Sequence, residues 1–239
     1  MQISIHDILS LVSKHSSSEQ VFIFDLDSTI YDLTRRQAKI IKEFASNYKH
    51  EGDFLPIAER ILQADFQRFP FFAENALKEK RIPIHPVFKK YFYPFWYERF
   101  FSNEYLYHDE LEPGVVNFVK KLVQMNVQVV YLTGRDMPRM GEGTKDKLCQ
   151  DGLLQHGEQL VLKPNKDMVD REFKLDVVLS MHEPGKKVYF LDNEASNNNY
   201  IYTHLPDIMN IFYDSVHSES EQPHEDLYIL SSFLSHNDS

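Results

Sequence analysis

A single cysteine, Cys149, stands among 239 residues. With no second thiol in the chain there is no internal disulfide framework, so an oxidising compartment is not implied and a reducing cytoplasm is the expected setting. Cations are also scarce: 26 Lys and Arg against 36 Asp and Glu give a formal charge of −10. Neutralising a nucleic-acid backbone takes a surplus of Lys and Arg over a broad surface, so this balance argues against a nucleic-acid partner. A small anionic substrate remains compatible with it if a metal supplies positive charge locally. No apolar run reaches membrane length. The opening stretch carries Ile5, Ile8, Leu9 and Val12 at helical spacing, but polar residues interrupt it. That pattern predicts an amphipathic helix packed on a soluble domain, with no visible signal peptide and no membrane partner. Internal repeats are absent too, and nothing in the sequence signals an oligomeric state. What is present is core material: 42% hydrophobic and 26% charged residues suit one sizeable core with a small inserted domain.

Short apolar runs at Val21 to Phe24, Val127 to Leu132, Leu160 to Leu162 and Val188 to Leu191 predict four buried strands, with Ile208 to Tyr213 as a fifth. Helical patterns lie between them. Val116, Val119, Leu122 and Val123 mark a helix that Pro113 can open, and Thr144 to Gln150 marks another, ending before Gly152. Strands alternating with helices predict an α/β fold, a Rossmann-like parallel sheet flanked by helices, with ligands at the C-terminal ends of the strands. From about Tyr31 to Glu110 the rhythm breaks. Stripes at Ile40, Ile41, Phe44 and Tyr48, at Ile57, Ile61 and Leu62, and at Phe88, Phe92, Phe95 and Trp96 predict a helical insertion, whose helices Pro83, Pro86 and Pro94 should keep short. The expected domains are therefore 1–30 with 111–239 as the α/β core, and 31–110 as the helical insertion. Ser215 to Glu225 reads as a solvated loop before a short terminal segment, Leu227 to Leu234.

The chemistry gathers at the predicted strand ends. The first strand runs straight into Asp25-Leu26-Asp27-Ser28-Thr29. In an extended chain, side chains two residues apart share a face, and two close carboxylates repel unless a cation or proton is shared. A divalent metal, with Mg²⁺ as the oxygen-preferring choice, is the natural partner. The second strand ends in Thr133-Gly134-Arg135, where a hydroxyl and flexible backbone amides can receive a phosphate oxygen. The fourth ends in Asp192-Asn193-Glu194, where Asp192 can complete the cation site. Lys163 and Lys174 each offer a cation for the nucleophile and the transferring group. Taken singly, each of these is matched by a blander reading, a turn acid or a solvated lysine. Independent turns would not place acid pair, hydroxyl, lysine and acid in this order at successive strand ends.

Phe22-Ile23-Phe24-Asp25-Leu26-Asp27-Ser28-Thr29-Ile30 resembles the first motif of the haloacid dehalogenase (HAD) superfamily, and Val130-Tyr131-Leu132-Thr133-Gly134-Arg135 resembles the second. Phe173-Lys174 resembles the third, and Tyr189-Phe190-Leu191-Asp192-Asn193-Glu194 the fourth. The match runs from about Val21 to Asn199, leaving out the insertion. The resemblance implies a Mg²⁺-dependent phosphohydrolase acting on a small phosphorylated molecule. Asp25 is then the nucleophile that forms an aspartyl phosphate, and Asp27 the general acid and base. The Asp25 carboxylate, the Asp27 backbone carbonyl and Asp192 hold the metal, while Thr133, Gly134 and Lys174 grip the phosphoryl group. Lys163 competes with Lys174 for the third-motif role. Lys174 is preferred because it should lie near the start of a helix leading into the fourth strand, as in similar proteins. The fourth motif departs from the family pattern, which leaves open whether Asn193 or Glu194 holds a metal-bound water.

In that superfamily an insertion between the first two motifs is a cap that covers the site and selects the substrate. Here it is aromatic, with Lys78, Lys80, Arg81, Lys89 and Lys90 against Glu79. Such a face can hold a phosphorylated aromatic compound, or can simply be the solvated side of an aromatic core. Two other functions fit the same sequence: a phosphotransferase in which a hydroxyl replaces water, and a non-catalytic binding or regulatory protein.

Overall fold

The computed structural model describes residues 1–15 and 19–234. In chain order its elements are α1 (Ile5–Lys14), β1 (Gln20–Phe24), β2 (Tyr31–Asp32), α2 (Thr34–Tyr48), α3 (Leu55–Gln63), α4 (Ala73–Glu79) and α5 (Pro86–Phe100). Then follow β3 (Glu110–Leu111), α6 (Val115–Gln124), β4 (Gln128–Asp136), α7 (Met137–Gln150), β5 (Gln159–Lys163) and α8 (Asp170–Met181). The last are β6 (Lys187–Asp192), α9 (Ala195–His204), β7 (Met209–Tyr213) and β8 (Tyr228–Leu230). Two compact units result, Met1–Tyr31 with Leu111–Ser239, and Asp32–Glu110. β2 and β3 form a two-stranded sheet of their own.

The first unit is built on a six-stranded sheet in the order β5-β4-β1-β6-β7-β8, every neighbouring pair parallel. This is the predicted α/β architecture. β1 lies between β4 and β6, which is why all five of its residues are buried and its sequence reads as a continuous apolar run rather than an alternating one. Its side chains still alternate between faces. Val21 and Ile23 join Val130, Leu132, Val188 and Phe190 in a cluster with Phe173, Leu175 and Val178 of α8 and Ile201 of α9. Phe22 and Phe24 belong to an aromatic layer, with ring centroids 4.4 Å apart and Phe22 at 5.5 Å from both Phe118 and Tyr189. The parity continues past the strand, so that Asp25 follows Val21 and Ile23, and Asp192 follows Val188 and Phe190. Both acids are therefore delivered to the face covered by α8.

Several elements differ from expectation. Pro113 does not open α6: Gly114 is the N-cap, at φ +90°, and a Cβ there would come within 2.5 Å of the Phe233 carbonyl oxygen. The buried face is Val115, Phe118, Val119 and Leu122, which keeps Val119 and Leu122 of the stripe read from the sequence but puts Val115 and Phe118 in place of Val116 and Val123. α7 begins at Met137 rather than near Thr144. The Asp136 side chain accepts from the Arg139 N–H at 3.2 Å, Pro138 fits the first turn, and Met140, Thr144 and Leu148 bury at four-residue spacing despite Gly141 and Gly143. The segment Leu227 to Leu234 contributes β8, parallel to β7.

The second unit is helical. Phe44 of α2 lies 5.3–5.7 Å from the rings of Phe92, Phe95 and Phe88 in α5. Those contacts carry α5 through Pro94, which was expected to end it, because the buried aromatic face offsets the hydrogen bond that proline removes. In α3 the buried positions are Ala58 and Ile61, while Leu62 is exposed. Trp96 stacks on Phe100 at 4.3 Å and donates from Nε1 to Gln37 Oε1 at 3.2 Å. Nearby, Arg36 and Asp109 form an ion pair at 2.9 Å with both side chains fully buried; Arg36 also donates to the Phe100 carbonyl and lies 4.1 Å from that ring. Lys78, Lys80, Arg81, Lys89 and Lys90 are all exposed.

Candidate active site

Asp25 extends β1 by one residue, its N–H donating to the Leu191 carbonyl at 2.9 Å. Its carboxylate is buried and meets Lys174, whose Nζ donates to Asp25 Oδ1 at 2.7 Å and to Asp192 Oδ2 at 2.6 Å. One ammonium from the first turns of α8 thus bridges two carboxylates at the C-terminal ends of β1 and β6. Burial raises the Asp25 carboxyl to about 7; Lys174 opposes that rise and Asp192 adds to it. Burial alone would lower Lys174, but the two carboxylates outweigh it and hold the ammonium above its ordinary range.

Asp192 is held from all sides. Its Oδ1 accepts from the Glu194 N–H at 2.8 Å, its Oδ2 also accepts from Asn197 at 3.1 Å, and its carbonyl accepts from the Asn198 amide at 2.9 Å. The chain turns back after Asp27 through Ser28, at φ +57°, with the Thr29 and Ile30 amides donating to Leu26. That turn lets the Thr29 hydroxyl donate to Asp25 Oδ2 at 3.1 Å, and the Thr29 hydroxyl oxygen itself accepts from the Asn193 N–H at 3.1 Å.

Lys163 is not part of this centre. Its Nζ donates to the Met168 carbonyl and to Asp170. Asp170 in turn packs over Gly134 so closely that a Cβ there would lie 2.5 Å from a carboxylate oxygen. Thr133 is fully buried within β4, which runs three residues past it to Asp136, and its hydroxyl accepts from the Arg135 N–H at 3.2 Å. Asp27 is the more open acid, its side chain 29% exposed and paired with buried Arg135.

The two further residues of the fourth motif have protein partners of their own, and Asn193 Oδ1 also lies 3.3 Å from the Thr29 hydroxyl. The Asn193 side-chain amide donates to the Val216 carbonyl at 2.6 Å, and Glu194 accepts from the Ser218 N–H and hydroxyl at 2.9 and 2.6 Å. Burial raises the Glu194 carboxyl, against those two hydrogen bonds. The stretch Ser215 to Ser218 is therefore half-buried against the site rather than fully solvated, and the Ser215 hydroxyl donates to the Ser28 carbonyl. Sequence reasoning missed Thr29, Asn197 and the Ser218 contact. A signal existed for Asn197, because the run Asn197-Asn198-Asn199 is costly inside a helix unless the amides bond inward.

Among the described residues no group of three or more His, Cys, Asp or Glu side chains is arranged to hold a metal. What the site brings together is a smaller and harder set, the two carboxylates Asp25 and Asp192 on one lysine. With one lysine against two acids the centre carries a formal charge of −1, which a divalent cation would offset. Mg²⁺ commonly takes only one or two carboxylates, so these residues fit it.

No protein-family model matches the chain, and no curated protein does. Solved structures do. A phosphatase candidate from Clostridium difficile is 14% identical with a TM-score of 0.58, covering 90% of this chain and 95% of that one. A HAD-superfamily hydrolase from Ehrlichia chaffeensis is 13% identical at 0.54, covering 90% and 93%. The protein tyrosine kinase A of Mycobacterium tuberculosis is 13% identical at 0.53, covering 90% and 94%. With its six-stranded parallel sheet and these likenesses over nine-tenths of its length, the chain has the haloacid dehalogenase-like fold.

Proposed function

We propose that this protein is a phosphohydrolase that cleaves a phosphomonoester of a small molecule through an aspartyl phosphate on Asp25. The observation that carries the reading is the Lys174 ammonium held between Asp25 and Asp192 at 2.7 and 2.6 Å. A positive group fixed against a buried acid keeps that acid's oxygen placed and lowers the cost of bringing an anionic phosphoryl group to it. In the first step an Asp25 oxygen attacks phosphorus as the bond to the leaving oxygen breaks, and that oxygen takes a proton from the Asp27 carboxyl. In the second, water passes a proton to the Asp27 carboxylate and its oxygen attacks phosphorus. The bond from phosphorus to Asp25 breaks, and inorganic phosphate leaves. Thr133 and the Gly134 backbone receive the non-bridging oxygens. The Asp25 carboxylate, the Asp27 carbonyl and Asp192 would hold Mg²⁺, which would supply positive charge to the phosphoryl oxygens. The helical unit is the candidate cap, and substrate selection is assigned to it.

The test is release of inorganic phosphate from a panel of phosphomonoesters with Mg²⁺ or EDTA, comparing wild type with Asp25→Asn. Activity that needs Mg²⁺ and vanishes in the variant is expected; equal activity in both would sink the Asp25 assignment. Since a tyrosine kinase shares the fold, added alcohols and sugars should be included. Phosphorylated acceptor in place of free phosphate would make the protein a phosphotransferase.

A further inference from the structure

Asp27 is delivered to the site by a side chain that the phosphatase reading leaves without a role. Arg135, at the end of β4, points its Nε at 3.2 Å from both Asp27 carboxylate oxygens and one Nη at 2.5 Å from Oδ1. The guanidinium is fully buried while the carboxylate is 29% exposed, so the fixed partner lies inside and the presented one outside. Arg135 is itself anchored: Nη1 donates to the Thr144 hydroxyl of α7 at 3.3 Å, and Cζ lies 5.7 Å from the Tyr31 ring. Tyr31 donates its hydroxyl to Asp151 at 2.9 Å, and Asp151 pairs with Lys147 of α7 at 2.7 Å. A flexible acid two residues beyond a nucleophile is thus joined, through a planar two-point fork, to a helix and to the turn that follows it.

We propose that Arg135 is the positioning residue of Asp27, setting where the carboxyl meets the leaving oxygen, with Thr144 setting the aim of Arg135. The inference rests on the Asp25 and Asp27 roles proposed above. It makes a demand that a merely structural ion pair does not. Proton donation matters more as the leaving oxygen becomes more basic, so displacing Asp27 must cost more for a basic leaving group than for an activated one of the same shape.

The experiment compares kcat and KM for phenyl phosphate and 4-nitrophenyl phosphate in wild type, Asp25→Asn, Arg135→Met, Arg135→Lys and Thr144→Val, each checked for folding by circular dichroism. In Arg135→Met, kcat for phenyl phosphate is expected to fall about tenfold further than for 4-nitrophenyl phosphate, with KM little changed. Arg135→Lys keeps the charge without the fork and should show the same selectivity in smaller measure, Thr144→Val in smaller measure still. Should Arg135→Met fail to fold, those two variants carry the test. Equal losses on both substrates, or none on either, would overturn the positioning role alone. A wild type with no Asp25-dependent turnover of either ester would overturn the phosphatase reading and this inference together.

Discussion

Each unit of the molecule buries charge, but they do so differently. In the helical unit one arginine meets one acid: Arg36 and Asp109 cancel, and the guanidinium finds a carbonyl and an aromatic ring besides. In the α/β unit one lysine meets two acids, and a charge is left over. A buried pair that balances tolerates low dielectric once its hydrogen bonds are made, whereas an unbalanced centre carries a desolvation cost that the hydrogen bonds from Thr29, Glu194 and Asn197 offset only in part. Folding alone would not favour the second arrangement, and the cation and phosphorylated substrate proposed above would give it a use.

Four substitutions can break or sharpen this contrast. The largest effect expected is on chemistry. Asp25→Asn should lower phosphate release by at least about 10³-fold while the protein stays folded, read as initial rates beside circular dichroism. Next come the lysine and the arginine. Arg36→Met and Lys174→Met each strand buried carboxylate and should cost roughly 3–5 kcal/mol in urea unfolding with EDTA present. Only the Lys174→Met loss should be relieved by added Mg²⁺, and equal relief of both would erase the distinction.

A smaller effect concerns pH. With Asp25 raised to about 7 from 3.8, its contribution to stability is fully present below about pH 3.8 and is lost as pH rises through 7. In EDTA, Asp25→Asn should therefore melt with wild type near pH 4 but above it at pH 8, by about 2–4 °C for each kcal/mol relieved. A wild type that melts higher at pH 8 would contradict the assignment. The smallest effect is expected from Gly134→Ala. The new methyl must displace the Asp170 carboxylate, which is half-exposed but paired with Lys163, so stability should drop by about 1 kcal/mol while KM for the phosphoester rises.

The sheet was legible because a parallel sheet flanked by helices requires continuous apolar runs, and β1 and β6 supply them. The acids were legible because they interrupt those runs at the edge where ligands bind. Helix limits were less so: Gly141 and Gly143 hide a helix whose packing face is sound, and Pro94 suggests a break that aromatic contacts override. Partner choice was hidden almost entirely. Spacing alone does not separate Lys163 from Lys174; the resemblance alone favoured Lys174, and it is Lys174 on α8 that reaches Asp25 while Lys163 ends β5. Likewise nothing near Arg135 announces that it reaches back to Asp27, since the two meet only when β4 is laid beside β1. Arg36 and Asp109 are equally silent in sequence, because a buried ion pair looks like two surface charges until the fold closes over them.

Trp96 is the sole tryptophan of the chain, and it sits in the helical unit against Phe100 and Gln37. Indole emission therefore reports on that unit alone, while the far-ultraviolet signal sums the helices of both units and the sheet of the other. Excited at a wavelength that spares tyrosine, a single sample gives two separate denaturation curves. Whether they coincide tells directly if the helical unit melts on its own or only together with the domain that carries Asp25.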